Sequence, residues 1–266
     1  MPDNINKIIP YHMSDNSIIG FKEIILTNGT EIIFPDESIR RLRTLLNLYG
    51  INSILPGDDS GTELKNEVKK LIIKLKAYKT ARIKISFTKN IITGESTHTL
   101  THESDPYLFS TGKINHNCSI SNRILKPLGL TINLPNVYSE FRKLMLAEMI
   151  ANNSDDIIIL NENLSVAEAY SGNIFFIEDE HVVTPSIQTD CYPGMLRNIV
   201  INELKLMNLP VVEKDHISQD EILESKEIIT ADINGIFSVK GIDKQRYFDD
   251  YRNLLIARIV KKYLNG

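Results

Sequence analysis

The sequence has little of what marks several common protein classes. Cys118 and Cys191 are the only cysteines among 266 residues, which excludes a disulfide framework and a Cys-x-x-Cys metal pair. The net charge of −4 is small, so neither nucleic acid nor an anionic membrane is expected as a partner. No apolar run approaches the roughly 18 residues of a membrane span, and the polar first residues show no signal-peptide pattern. The expected location is therefore the cytoplasm.

Motifs for phosphate loops, dinucleotides and serine nucleophiles are also missing. The sequence has no Walker loop, no GxGxxG and no GxSxG. His98 and His102 lie four residues apart in "STHTLTHESD", but this segment is typical of a loop or an edge strand and has no glutamate between the histidines. We therefore predict no metal site.

The sequence contains an alternation of strands and helices in two halves, which predicts an α+β fold. Asn28-Gly29 indicates a hairpin within residues 20–34. Residues 110–130 are polar and rich in turn residues, which indicates a link between domains. The predicted domains are residues 1–115 and 131–266, with residues 116–130 as the link. The other predicted elements are helices at 35–51, 58–78, 137–153 and 195–207, a strand at 80–89, a hairpin within 165–185, strands near 210–217 and 226–233 with a short helix between them, and a C-terminal helix.

Glu168 is a single carboxylate at the start of a run that otherwise predicts buried strands. It lies between Ala167 and Ala169, just before the apolar residues "NIFFI" and the strand "HVVTP". A buried carboxylate needs a partner, because an unpaired charge in the interior is costly. A salt bridge or a solvated loop end would satisfy this requirement, and so would a bound ligand.

The stretch "AEAYSGNIFFIEDEHVVTPSIQTDCYPGMLRNIV" resembles the signature of the class IV (fold type IV) pyridoxal-phosphate aminotransferases. This group includes branched-chain and D-amino-acid aminotransferases and aminodeoxychorismate lyase. "KEIITADINGIFSVKGID" resembles a later segment of the family, and "GFKEIILTNG" with "SIRRLRTLLNLYGI" resembles its N-terminal hairpin and helix. The matching residues are Glu168, Asn173-Ile174-Phe175, Thr184-Pro185, Gly194-Met195-Leu196-Arg197 and, in the first half, Arg41.

The resemblance implies a two-domain fold like that of D-amino-acid aminotransferase, with pyridoxal phosphate in a cleft between the domains, and a homodimer. It implies that Glu168 faces the pyridine nitrogen, where a carboxylate favours the protonated ring and deepens the electron sink. The turn that opens the helix at Gly194 would present backbone N–H groups to the cofactor phosphate. The implied cofactor-binding residues are Glu168, Arg41, Gly194, Met195, Leu196, Arg197, Thr230 and Ala231.

The family's catalytic lysine has no counterpart at the expected spacing. Counting back from Glu168 leads to Pro135, Asn136 or Val137. The nearest lysines are Lys126, which precedes a proline and lies nine or more residues early, and Lys143, which the helical period directs towards solvent. The catalytic residue is thus unassigned, with Lys126 as the candidate.

Two smaller departures affect the implied phosphate site. Asp232 stands where the family usually has a small polar or neutral residue, and its charge would repel a phosphate unless the side chain turns away. Leu196 replaces the threonine of many members. Whether Asp232 points into the cleft does not follow from the sequence.

The resemblance and the departures support two hypotheses. In the first, the chain is a divergent aminotransferase or aminodeoxychorismate-lyase-like enzyme that acts on a small amino acid or an amino-chorismate-like acid. In the second, it is a catalytically inactive relative that lacks the lysine and binds an anion non-covalently or serves as an interaction protein. The identity of the lysine distinguishes the two.

Overall fold

The computed structural model describes residues 18–51, 61–103, 115–178, 180–232, 235–248, 256 and 258. Its helices and strands form two β-sheets with helices packed on them, so the predicted α+β class is confirmed. The predicted C-terminal helix lies almost wholly outside the described residues. In the described part of the chain, no helix combines the length and apolar character needed to cross a membrane.

The first sheet has four antiparallel strands, β1 (Ile18–Asn28), β2 (Glu31–Ile32), β3 (Ala81–Asn90) and β4 (Ser96–Glu103). Their order in the sheet is β2-β1-β3-β4. β1 and β2 form the hairpin predicted at Asn28-Gly29, where Gly29 has a positive φ of 58° that favours glycine.

Two amphipathic helices cover this sheet. They are α1 (Pro35–Leu48) and α2 (Thr62–Leu75), and both were predicted. α1 begins at a proline followed by two acidic residues, as expected for the positive end of the helix dipole. One face of each helix packs with the sheet into a single core, whose buried members include Leu42, Leu45, Val68, Ile72, Ile83, Ile85 and Phe87.

The second sheet is mixed and has nine strands in the part of the chain that the structure describes. The strands are β5 (Asn115–Lys126), β6 (Asp156–Asn161), β7 (Val166–Ala169), β8 (Asn173–Glu178), β9 (His181–Pro185), β10 (Val211–Lys214), β11 (Ile228–Asp232), β12 (Gly235–Ile242) and β13 (Gln245–Arg246). Their order is β10-β9-β8-β11-β12-β5-β6-β7, and β13 pairs with β12. The sheet packs with α3 (Pro135–Ala151), α4 (Met195–Leu206) and α5 (Gln219–Glu224).

The polar segment predicted as a link between domains is largely a strand. Residues 115–126 form β5, which lies inside the second sheet between β12 and β6. Its polar side chains do not alternate with apolar ones, so the usual period of a half-buried strand is missing. The division of the chain into the predicted domains stays a prediction, since residues 104–114 lie outside the described part of the chain.

β5 contains a bulge of three extra residues, and a buried glutamate stabilises it. Ile120 pairs with Ile158 and Leu125 pairs with Leu160, so β5 advances five residues while β6 advances two. Glu148 of α3, 4% exposed, accepts hydrogen bonds from Ser121 Oγ (2.7 Å) and from the backbone N–H groups of residues 122 and 123 (3.0 and 3.3 Å). The carboxylate thus replaces the sheet partners that the three extra residues of β5 lack.

Replacement of Glu148 by alanine is expected to destabilise the protein. Two backbone donors and the Ser121 hydroxyl would lose their buried acceptor, at a cost of about 2–4 kcal/mol in the free energy of unfolding. Chemical denaturation of Glu148→Ala measures this cost. Glu140→Ala is the matched control, because Glu140 is an exposed residue of the same helix that pairs with the exposed Lys143. An equal loss in both variants would contradict the role of Glu148.

Candidate active site

The centre of the site is an ion pair buried inside the second sheet. Lys126, the last residue of β5, and Glu168 of β7 are both 0% exposed, and Lys126 Nζ lies 2.9 Å from Glu168 Oε1. β6 separates the two strands, and its pairing with both sets their register: Asn161 pairs with Lys126, and Ile159 pairs with Glu168. The two side chains therefore meet across one intervening strand.

Both charges of the pair have further polar partners. Lys126 Nζ donates to Asn133 Oδ1 at 3.0 Å, and the amide of Asn133 donates to the backbone oxygens of residues 190 and 191. Glu168 Oε2 accepts from the backbone N–H of Tyr192 at 2.6 Å. Oε1 contacts Lys126 at a distance that fits an ion pair, and among the described residues it has no well-aligned hydrogen bond, although the Tyr138 side chain interacts with the same carboxylate. This oxygen is therefore a buried acceptor with unused capacity.

Two stacked tyrosines separate the ion pair from an open cavity. The rings of Tyr138 and Tyr192 lie 4.1 Å apart at 16° and form what we call the tyrosine wall. Lys126 Nζ lies 4.9 Å from the Tyr138 ring centroid. Both tyrosines also line a cavity of about 440 Å³, whose lining includes neither Lys126 nor Glu168. Burial, followed by the charge of Glu168, raises the pKa of Tyr138 well above its ordinary value, so Tyr138 is neutral at physiological pH.

Arg41 of α1 connects the first sheet to the tyrosine wall. Its Nε donates to Glu23 at 3.0 Å, its Nη1 donates to the Pro193 oxygen at 3.4 Å, and its Nη2 donates to the Tyr192 hydroxyl. The guanidinium carbon also lies 4.8 Å from the Tyr192 ring centroid. Burial opposes the charge of Arg41, but Tyr192 and Glu23 raise its pKa, so the cation is retained.

The predicted cofactor residues divide into those at the cavity and those away from it. Arg41, Gly194, Met195 and Leu196 line the cavity. Gly194 has no room for a side chain, because a Cβ would lie 2.4 Å from the Asn173 amide oxygen. Leu196 is 1% exposed and contributes mainly to the core.

Arg197 does not face the cavity, and this differs from the prediction. It is 2% exposed and donates to the Pro185 oxygen at 2.6 Å and to Glu213 Oε2 at 2.9 Å. The helical period explains the difference, since Met195, the first residue of α4, lines the cavity and Arg197 lies about 200° farther around the helix, on the opposite side. Arg197 therefore joins α4 to β9 and β10.

Thr230 and Ala231 are also fully buried and do not line the cavity. The Ser171 hydroxyl donates to Asp156, and its oxygen lies 2.5 Å from the Thr230 hydroxyl, which can donate to it. The next residue of β11, Asp232, does line the cavity, and its Oδ2 lies 3.7 Å from Arg142 Nη1. Asp232 thus points into the cleft, where an arginine balances its charge.

The predicted absence of a metal site concerns His98 and His102 of β4. His98 Nε2 lies 2.6 Å from Glu67 Oε2, which is a pairing of two side chains. Among the described residues no three histidine, cysteine, aspartate or glutamate side chains are grouped so that they could hold a metal ion.

The structure adds residues that the sequence did not single out. Asn133, Tyr138, Arg142 and Tyr192 all contact the buried pair or line the cavity beside it. Tyr138 and Arg142 lie four residues apart on α3, the spacing that places side chains on one helix face. Tyr192 directly precedes the predicted Pro193-Gly194 turn, which was the one available signal for it.

The chain matches the family model for amino-transferase class IV over residues 20–241. This match covers most of the chain. The protein belongs to the class IV aminotransferase family. Among curated relatives, the branched-chain-amino-acid aminotransferase of Pseudomonas aeruginosa is 26% identical over 151 residues, which are 56% of this chain and 46% of the relative. The matched segments thus span less than half the length of such relatives.

Solved structures of the family share the fold over nearly the whole chain. A Legionella pneumophila protein provisionally named 4-amino-4-deoxychorismate lyase has a TM-score of 0.78 at 18% identity, covering 92% of this chain and 91% of that chain. The branched-chain aminotransferase of Thermoproteus uzoniensis has the same TM-score at 16% identity and covers 92% and 86%. An aminotransferase from Brucella abortus, solved with the co-factor PLP, has a TM-score of 0.77 at 14% identity and covers 94% and 90%.

Pyridoxal phosphate is the cofactor that this membership supports, and the residues present fit it. Lys126 offers a primary amine and Glu168 offers an acceptor with unused capacity. Arg41 and the Gly194 turn supply a cation and backbone N–H groups at the adjacent cavity.

We expect a favourable coupling energy between Lys126 and Glu168, because each buried charge stabilises the other. Lys126→Met leaves Glu168 as an uncompensated buried charge, which is expected to cost about 3–5 kcal/mol. The double variant Lys126→Met/Glu168→Gln is expected to cost less than the two single changes together. Urea denaturation of a double-mutant cycle measures the coupling, and the exposed Lys143–Glu140 pair, expected below about 0.5 kcal/mol, is the control. Equal coupling energies for the two pairs would contradict the prediction.

Because the Glu23 carboxylate is buried, we expect the stability of the protein to depend on pH in a specific way. Burial raises the pKa of Glu23 above its ordinary value of 4.5, and this effect exceeds the attraction of Arg41. A raised pKa in the folded state means that stability is lost as the pH rises through that value. Glu23→Gln should therefore gain stability relative to the natural protein between about pH 4 and pH 7. Denaturation midpoints across this range test the sign, and a constant difference would contradict it.

Proposed function

We propose that this chain is a pyridoxal-phosphate-dependent enzyme of the class IV family in which the Lys126 amine would hold the cofactor by condensing with its aldehyde, with release of water. The observation that carries this proposal is the buried contact between Lys126 and Glu168. Such chemistry requires two groups, an amine and a carboxylate. Here the amine lies at the end of one strand, and the carboxylate lies two strands away in the same sheet. When bound, pyridoxal phosphate supplies an electron sink for bonds at the substrate carbon that carries the amino group.

Lys126 is the residue that would hold and move the proton. Its amine lies in contact with Glu168 Oε1 and Asn133 Oδ1, so a proton can be kept on Nζ or released as the neighbouring charge changes. Glu168 would accept a hydrogen bond from the protonated pyridine nitrogen with Oε1, the oxygen that now lacks one. Because only 2.9 Å separates the two groups, Lys126 has to turn away from Glu168 before any ring can contact both.

The surrounding residues would bind and orient. Arg41 and the backbone at Gly194–Leu196 would face the phosphate, and both belong to the cavity on the other side of the tyrosine wall. The tyrosine wall excludes water from Lys126, whose exposure is 0%. Entry to the amine therefore needs a movement of Tyr138 or Tyr192.

The reaction we propose is amino-group transfer or lyase chemistry on a small amino acid or an amino-chorismate-like acid. Relatives named as branched-chain aminotransferases and a lyase support these classes. A homodimer in the cytoplasm, with no nucleic acid or membrane partner, is part of the same proposal.

A catalytically inactive relative is the second candidate. It is favoured by the closed ion pair behind the tyrosine wall, by the absence of a hydroxyl at Leu196 and by Asp232 in the cavity. In that case Lys126 and Glu168 would be a structural pair, and the cavity would bind an anion without covalent chemistry.

Reduction with borohydride after mixing with pyridoxal phosphate distinguishes the two candidates. An enzyme is expected to give a visible absorption band and, after reduction, one labelled peptide that contains Lys126. Lys126→Arg keeps a cation beside Glu168 but cannot form the covalent adduct, so it should lose the band. Lys143→Arg, a change at an exposed lysine, should keep it. A natural protein without the adduct at Lys126 would overturn the proposed enzyme and leave the inactive relative.

A further inference from the structure

We propose that Tyr192 couples the binding of an anion at Arg41 to the uncovering of Lys126, so that an aldehyde carrying a phosphate reaches the amine more readily than a neutral one. This inference rests on the proposed function of the same site. Its starting point is the burial of Lys126, whose side chain is 0% exposed behind the tyrosine wall. A reagent can contact the amine only when one ring of the wall has moved.

Tyr192 is the member of the wall that can move. Tyr138 is almost fully buried, and its side chain interacts with Glu168. Tyr192 is only half-buried, and its hydroxyl accepts from Arg41. Its backbone is held on both sides, because its N–H donates to Glu168 at 2.6 Å and its oxygen accepts from the Asn173 amide at 2.7 Å. The side chain can therefore rotate while the main chain stays in place.

Arg41 has one edge that an anion can take. Its Nε donates to Glu23 at 3.0 Å, so this side of the guanidinium is already paired with a carboxylate. Its two terminal nitrogens face neutral oxygens, the Tyr192 hydroxyl and the Pro193 carbonyl, and the second contact is long at 3.4 Å. A phosphate can accept two parallel hydrogen bonds from such an edge, and these are stronger than bonds to neutral oxygens. An anion should therefore displace Tyr192 and Pro193 from Arg41 and leave Glu23 bound.

The same cation holds the hydroxyl and the ring of Tyr192. The guanidinium carbon of Arg41 lies 4.8 Å from the ring centroid, in addition to the contact with the hydroxyl. Arg41, Tyr192 and the Gly194 turn all line one cavity, so an anion that enters this cavity meets the contact directly. When the anion takes the edge of Arg41, the ring that covers Lys126 loses its hydroxyl partner. A neutral aldehyde cannot make this exchange, because it brings no charge to replace the contact.

Labelling of Lys126 with a neutral aldehyde, with and without phosphate, tests this coupling. Pyridoxal condenses with the amine with release of water, borohydride then supplies the hydride that makes the bond permanent, and peptide mass mapping gives the rate at Lys126. In the natural protein, excess inorganic phosphate should accelerate the labelling about tenfold, the factor expected for exchange of one charge-assisted hydrogen bond. Sodium chloride at the same ionic strength is the control for screening and should not accelerate it.

Tyr192→Phe removes the hydroxyl and keeps the stacked ring. Without phosphate, pyridoxal should label Lys126 of this variant about tenfold faster than Lys126 of the natural protein, and added phosphate should change the rate little. Tyr78→Phe is the matched control, because Tyr78 is an exposed tyrosine outside the cavity lining. It should respond to phosphate as the natural protein does.

Acetylation of Lys126 by acetic anhydride separates this proposal from the proposed enzyme. The amine forms an amide with the acetyl group, acetate leaves and the proton passes to the buffer, so the reaction needs no cofactor. Phosphate should accelerate it in the natural protein and not in Tyr192→Phe. With either reagent, equal rates with and without phosphate in the natural protein would overturn the role of Tyr192, as would an acceleration that persists in Tyr192→Phe. If the acceleration depends on the Tyr192 hydroxyl but pyridoxal phosphate forms no adduct, the proposed enzyme fails while the coupling stands.

Discussion

A buried positive charge and a buried negative charge, held in contact, constrain everything around them. An unpaired charge at Lys126 or Glu168 would be costly inside the second sheet, because the interior does not replace the water that the charge loses. Three strands fix the distance between them, Asn133 accepts a hydrogen bond from the amine, and the Tyr192 backbone donates one to Oε2 of the carboxylate. The connection from β5 to α3 and the turn before α4 are both positioned by this one contact.

The same contact explains why the aromatic residues lie where they do. Tyr138 follows Asn133 on the way into α3, and Tyr192 carries the N–H that Glu168 uses, so both rings must meet beside the ion pair. Arg41 then ties the stack to the first sheet through Glu23 and the Tyr192 hydroxyl. The two sheets are thus joined at the site by polar contacts to one aromatic pair, and also by an apolar cluster in which Leu26 and Ile33 pack with residues of the second sheet and α4.

The sequence predicted the elements whose signals are local. The hairpin at Asn28-Gly29 and the helix that follows Pro35 were recovered because turn and capping residues act within a few positions. Glu168 was recognised because a lone carboxylate among apolar residues needs a partner. Lys126 was predicted only as a candidate, because its contact with Glu168 depends on strand register. Arg197 was assigned to the cofactor from its motif, but the turn of α4 directs it to Glu213.

The connection after β5 changes what counts as a short distance in this chain. Between Lys126 and Glu168 the backbone passes through a one-turn 3-10 helix, α3 and β6, whereas across the sheet only β6 lies between the two residues. Counting residues back from Glu168 therefore leads to Pro135, while following the strand pairing leads to Lys126. Two residues of a site can thus keep their contact across a sheet when the number of residues between them changes, so a catalytic pair is better identified from strand pairing than from spacing along the chain.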